Sequence, residues 1–160
     1  MHKREISLTV NGKVHELAVE PRLSLSDMLR DELRLSGTHI GCEHGVCGAC
    51  SILLDGVPVR SCLMLAVQAD GHEITTVEGL SNEDRSPGIL QEAFQDAHGM
   101  QCGYCTPGML ISAQALLTAN ADPSLEEIKD AIGGTLCRCT GYTQIIESIQ
   151  LAASRLREAG

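Results

Sequence analysis

Hydrophobic positions change their period partway along the chain. Near the start, Ile6, Leu8 and Val10 alternate with polar residues, the pattern of a half-buried strand. Asn11-Gly12 follows, a strong signal for a two-residue hairpin turn, and residues 14–19 read as the returning strand. Ser24 is a good N-cap, and Leu25, Met28, Leu29 and Leu33 share one helical stripe that Ser36-Gly37 should end. Residues 51–54 read as another strand, turning at Asp55-Gly56, and residues 73–77 as a last short one. After the polar, turn-rich stretch SNEDRSPG at 81–88, which suits a linker, every pattern is helical. Ile89, Leu90, Ala93, Phe94 and Ala97 form a face stopped at Gly99. Thr106-Pro107 opens a second helix as N-cap and first-turn proline, carried by Met109, Leu110, Ala113, Leu116 and Leu117. Ser124 and Glu127 form a capping box before Ile128, Ala131 and Ile132, with a break at Gly133-Gly134. Residues 144–158 make the last helix on Ile145, Ile146, Ile149, Ala152, Ala153 and Leu156. The expected fold is α+β: a β-rich domain over 1–80, then a bundle of four amphipathic helices over 81–160.

Composition narrows the possible roles. Aromatic residues make up 2% of the 160 residues and the formal charge is -9. Such a surface lacks stacking platforms for single strands and repels a phosphate backbone, so no nucleic-acid partner is expected. No apolar stretch is long enough to span a bilayer and no secretory leader is evident. Membrane insertion is therefore not expected, and the cytoplasm is the expected location. Disulfides are rare there, so eight cysteines in clusters point to metal or redox chemistry.

The first cluster is GCEHGVCGAC, with Cys42, Cys47 and Cys50, and Cys62 eleven residues further on. C-x4-C-x2-C is the plant-type ferredoxin spacing for a [2Fe–2S] cluster. Gly41, Gly45 and Gly48 suit a loop that folds tightly round such a group, and its amide N–H groups can offset the negative charge on the sulfurs. Zinc also takes four thiolates, but usually from paired C-x2-4-C half-sites, a pattern this group does not follow. His39 and His44 lie nearby as loop residues. The second cluster comprises Cys102 and Cys105 in GMQCGYCTPG and Cys137 and Cys139 in GGTLCRCTGY. Both pairs precede helix starts, where unpaired N–H groups and the helix dipole favour an anion. Two alternatives stay open from spacing alone. One is a dithiol C-x-x-C exchange motif, which lacks its βαβ context and leaves Cys137 and Cys139 unexplained. The other is a zinc site, for which C-x-C is an awkward half-site.

These motifs, in this order, resemble the small iron–sulfur subunit of the molybdenum hydroxylases, the family of xanthine oxidase and aerobic carbon monoxide dehydrogenase. The resemblance runs from the Asn11-Gly12 hairpin to the last helix. It implies a ferredoxin-like (β-grasp) domain followed by a four-helix domain, holding two [2Fe–2S] clusters. It implies an outer cluster on Cys42, Cys47, Cys50 and Cys62, and an inner one on Cys102, Cys105, Cys137 and Cys139. Gln101 and Cys139 would face a molybdopterin, as the cytosine dinucleotide, in a large partner subunit. Glu43, His44 and Gly45 would face FAD in a medium partner subunit. The assembly implied is a dimer of heterotrimers, a heterohexamer, in which this chain has no catalytic residue and relays electrons from molybdenum to flavin. The substrate is not written in this chain.

Overall fold

A computed structural model describes residues 2–159. Ile6, Leu8 and Val10 are the buried positions of β1 (Arg4–Val10), and Asn11 and Gly12, both at positive φ, turn the chain into β2 (Lys13–Val19). Val10 pairs with Lys13 across that turn. Ser24 caps α1 (Leu25–Asp27), accepting the Asp27 N–H at 3.1 Å. The coil then widens into a π-helical segment (Met28–Glu32). Leu25, Met28 and Leu29 are fully buried there, as their stripe predicts. The segment stops earlier than Ser36-Gly37 because Arg34 turns left-handed at φ 60°. Residues 35–50 then form an irregular loop, which Arg30 braces by donating to the carbonyls of Ser36 and Thr38, both at 2.7 Å.

β3 (Ser51–Leu54) and β4 (Val57–Arg60) form a hairpin about Asp55-Gly56. β5 (Glu73–Thr75) ends two residues before the expected limit, where a 3-10 turn begins at Val77. The sheet order is β2-β1-β5-β3-β4. β1 and β5 run parallel at its centre, and α1 packs over one face. This is the ferredoxin-like (β-grasp) arrangement that the family resemblance implies.

The helical half comprises α2 (Ile89–Asp96), α3 (Thr106–Ala119), α4 (Leu125–Ile132) and α5 (Thr143–Ala159). α2 stops through His98 at φ 56°, with the Gly99 N–H returning to the Phe94 carbonyl at 2.8 Å. The left-handed residue is thus the histidine and not the glycine. Thr106 is not the cap of α3: Cys105 occupies that place and Thr106 begins the helix. α3 is also not amphipathic. It is buried on most sides, because α2, α4 and α5 cover part of it and β3 and β4 cover the rest. Two separate hydrophobic cores result, one under the sheet and one among α2–α5.

Candidate metal centre

The β3–β4 hairpin closes the first thiol group. Its register sets Ser51 opposite Arg60, so Cys50, just before β3, meets Cys62, just after β4. The Ser61 hydroxyl donates to the Cys50 carbonyl at 2.7 Å and holds that closure. Cys50 is buried, whereas Cys42, Cys47 and Cys62 are half-buried. The loop over 41–48 wraps tightly around the sulfurs. A methyl at Gly41 would lie 3.1 Å from Cys47 Sγ, and Gly45 sits at φ +82° beneath Leu63. The Cys47 N–H points at Cys42 Sγ, 3.4 Å away. That bond, with others from His44 and Val46 N–H, lowers Cys42 to about 6 against partial burial. Burial, followed by the hydrogen bond with Cys50, pushes Cys62 up to about 11.

The second thiol group gathers two loops of the helical half. Cys105 caps α3, but Cys137 and Cys139 do not abut α5. The turn over 140–142, with Gly141 at φ 62° and Tyr142 at φ 69°, intervenes. The Tyr142 hydroxyl accepts the Cys137 N–H at 3.0 Å. Burial, then the hydrogen bond with Cys137, pushes Cys105 up to about 12. At Cys137 burial acts upward, but hydrogen bonds from Thr140 and from the Cys139 N–H outweigh it and leave the thiol below its ordinary value. The Tyr104 N–H, then Cys139, lowers Cys102, and Cys139 rises chiefly through the same shared bond. Cys102 and Cys139 sulfurs stand 3.5 Å apart at the exposed rim.

In both groups the thiols therefore stand two by two: Cys42 with Cys47, Cys50 with Cys62, Cys102 with Cys139, and Cys105 with Cys137. Two thiolates on one tetrahedral metal with bonds of ~2.3 Å lie about 3.8 Å apart, close to the separation seen at the rim. Among the described residues, no three His, Cys, Asp or Glu side chains gather as around a single ion. Pairs of thiols are the arrangement a two-metal cluster takes, with two thiolates per iron.

The flanking residues are exposed beside their thiol groups. Gln101 is exposed, and its Nε2 donates to the Cys139 carbonyl at 3.2 Å. Glu43, at φ 56°, and His44 are exposed on the other loop, and His44 Nδ1 lies against the Cys42 carbonyl. Contacts between the two groups were not read from the sequence. The Leu136 N–H donates to the Cys47 carbonyl at 2.8 Å. Tyr104 Oη donates to the Ile40 carbonyl at 2.5 Å, and its ring stacks on His39 with centroids 4.8 Å apart. Arg60 donates to Ser51 Oγ at 2.5 Å and to the Gly134 carbonyl at 2.6 Å. The adjacency of Leu136 to Cys137, and of Tyr104 to Cys105, was the available signal for the first two.

Residues 8–78 match the 2Fe-2S iron-sulfur cluster binding domain, and residues 76–150 match a second model, the [2Fe-2S] binding domain. The chain is 58% identical over 153 residues to the caffeine dehydrogenase subunit gamma of Pseudomonas sp. (strain CBB1), covering 94% of this chain and 91% of that one. It is 54% identical over 145 residues to the nicotine 6-hydroxylase small subunit of Paenarthrobacter nicotinovorans, covering 91% and 87%. Quinoline 2-oxidoreductase from Pseudomonas putida 86 contains a chain of the same fold, with a TM-score of 0.94, 49% identity and coverage of 99% and 98%. Fold and thiol groups together define a two-domain [2Fe–2S] protein. The chain belongs to the small iron–sulfur subunits of the molybdenum hydroxylases. As such it is the electron-transferring part of a multi-subunit oxidoreductase.

Proposed function

We propose that the chain relays electrons one at a time from a molybdopterin centre in a large partner subunit, through its inner and then its outer cluster, to FAD in a medium partner. Cys102, Cys105, Cys137 and Cys139 hold the inner [2Fe–2S] cluster on the helical half. Cys42, Cys47, Cys50 and Cys62 hold the outer one on the grasp half. Bound clusters supply one-electron acceptors whose potentials follow charge, hydrogen bonding and exposure. The protein's own part is to fix the thiolates in pairs, shield the buried members and connect the two sites. The observation that carries this reading is the Leu136 N–H bond to the Cys47 carbonyl at 2.8 Å. It joins a residue bonded to Cys137 with Cys47 itself, so one hydrogen bond completes a bonded path between ligands of different clusters.

The direction of the relay follows the family. Gln101 and Cys139 beside the inner group and Glu43 and His44 beside the outer one are exposed, as residues that face partner subunits must be. Eight free thiols suit the reducing cytoplasm, and among the described residues no helix is long and apolar enough to cross a membrane. Relatives named for caffeine, nicotine, nicotinate and quinoline favour a nitrogen heterocycle as substrate at the partner's molybdenum. The assembly follows the family as a dimer of heterotrimers, with molybdopterin cytosine dinucleotide in the large subunit.

The test is C137S in the metal-loaded complex. One of two [2Fe–2S] electron paramagnetic resonance signals should be altered or lost, and substrate-driven flavin reduction should slow by orders of magnitude. Flavin reduction at the wild-type rate would overturn the relay.

A further inference from the structure

Thr140 lies between the inner thiol group and the start of α5. Its Oγ1 stands 3.2 Å from Cys137 Sγ and also accepts the Tyr142 N–H at 3.1 Å. A hydroxyl has one proton to give. With an N–H already pointing at the oxygen, that proton is left free to face the sulfur. A metal-bound Cys137 is a thiolate and can only accept. Among the described residues, Cys137 is the one cysteine whose sulfur meets a side-chain hydroxyl; Cys42 Sγ takes a backbone N–H and Cys139 Sγ meets another thiol.

The local backbone is shaped to make this contact. Gly141 and Tyr142 are consecutive left-handed residues, at φ 62° and 69°, and a bulky side chain seldom adopts that conformation. The turn brings the Tyr142 N–H back onto Thr140 Oγ1 while its ring hydroxyl reaches forward to the Cys137 N–H, 3.0 Å away. Cys137 is thus held at both its backbone and its sulfur by one three-residue turn. It is also half-buried.

We propose that Thr140 is a tuning residue for the inner cluster: its hydroxyl donates to the Cys137 thiolate and raises that cluster's reduction potential. This rests on the reading that Cys137 is a ligand of the inner cluster. A hydrogen bond to a ligand sulfur offsets negative charge, and the reduced cluster carries one more negative charge than the oxidised one. The bond therefore favours the reduced form. One electron enters from the molybdenum side and one leaves toward the outer cluster. The proton stays on Thr140 Oγ1, and no covalent bond is made or broken.

The experiment is a dithionite titration of the purified, metal-loaded complex, following both [2Fe–2S] signals by electron paramagnetic resonance. Two signals in the wild type establish two clusters, independently of Thr140. In T140V, which keeps the branched shape, one midpoint should fall by about tenfold in the reduction equilibrium, ~59 mV for one electron, while the other stays in place. T140S, which keeps the hydroxyl, should restore it. An exchangeable proton coupled to the same signal in deuterium-exchange pulsed measurements should vanish in T140V and persist in T140S. An unmoved midpoint in T140V, or an equal fall in T140S, would overturn the proposal. So would failure of T140V, but not T140S, to load the inner cluster, since the role would then be structural.

Discussion

Gln101 shows how one residue type can be read two ways. As a polar residue before a cysteine loop it predicts nothing, and only the family motif gave it a role toward the pterin. The structure places it beside Cys139, with its amide on that carbonyl at 3.2 Å, at the exposed rim of the inner group. Q101A should leave both cluster signals intact while altering the molybdenum signal and cutting turnover by roughly 10–100-fold, the usual range for a group that orients a metal site. An unaltered molybdenum signal with unaltered turnover would remove Gln101 from the interface. Cysteines were the legible part of the site, because thiolate spacing constrains the chemistry strongly. Thr140, Tyr104 and Leu136 were not, because their contacts are made by a hydroxyl, a ring or a backbone N–H that many sequences supply. Cap preference misplaced the start of α3 by one residue: threonine is the better cap in isolation, but Cys105 takes that place with no side-chain cap bond.

At the scale of elements, hairpins and caps were the most legible features. Asn11-Gly12 and Asp55-Gly56 turn as their sequences require. The capping box of α4 is fully formed. Glu127 accepts the Ser124 N–H and hydroxyl, both at 2.7 Å, and Asn120 Nδ2 at 3.1 Å. The Ser124 hydroxyl first, then its N–H and Asn120, hold the Glu127 carboxyl below its ordinary value. A depressed carboxyl contributes stability that is fully present above the unfolded value of about 4.3 and is lost as pH falls through the lower folded value. Amide-exchange protection of α4 should therefore be level from neutral pH to about 5 and fall below about 4. E127Q should flatten that fall. An equally steep loss in E127Q would assign the effect to another group. Less legible was α3, whose apolar residues go all round, TPGMLISAQALLTA. That pattern signals a helix covered on several sides, and the sheet supplies the extra cover.

For the whole molecule the decisive feature is how its two halves meet, and the pattern of either half alone carries little trace of it. The join is made by small residues and backbone atoms. α3 lies against β3 and β4, Gly108 of α3 faces the Gly48 carbonyl, and Gly48 itself, at φ +76°, lies against Gly134 and Thr135. Gly48 follows Cys47, whose carbonyl takes the Leu136 N–H, so the glycine contact and the hydrogen bond between the two thiol groups share one stretch of loop. A methyl at Gly108 would fall well inside contact distance of the Gly48 carbonyl and 3.2 Å from Thr135 Cγ2. The oxygen belongs to backbone and cannot rotate away, so the halves must part. Overpacking of this kind costs about 1–3 kcal/mol, and G108A should lower the unfolding temperature of the loaded complex accordingly. Parting the halves should also stretch the Leu136–Cys47 bond. The magnetic interaction between the two reduced clusters should weaken, and inter-cluster electron transfer should slow, while each cluster keeps its own signal. Unchanged stability with unchanged coupling would show that the glycine contact does not set the spacing. Lost stability with unchanged coupling would assign the spacing to the Arg60 and Tyr104 contacts.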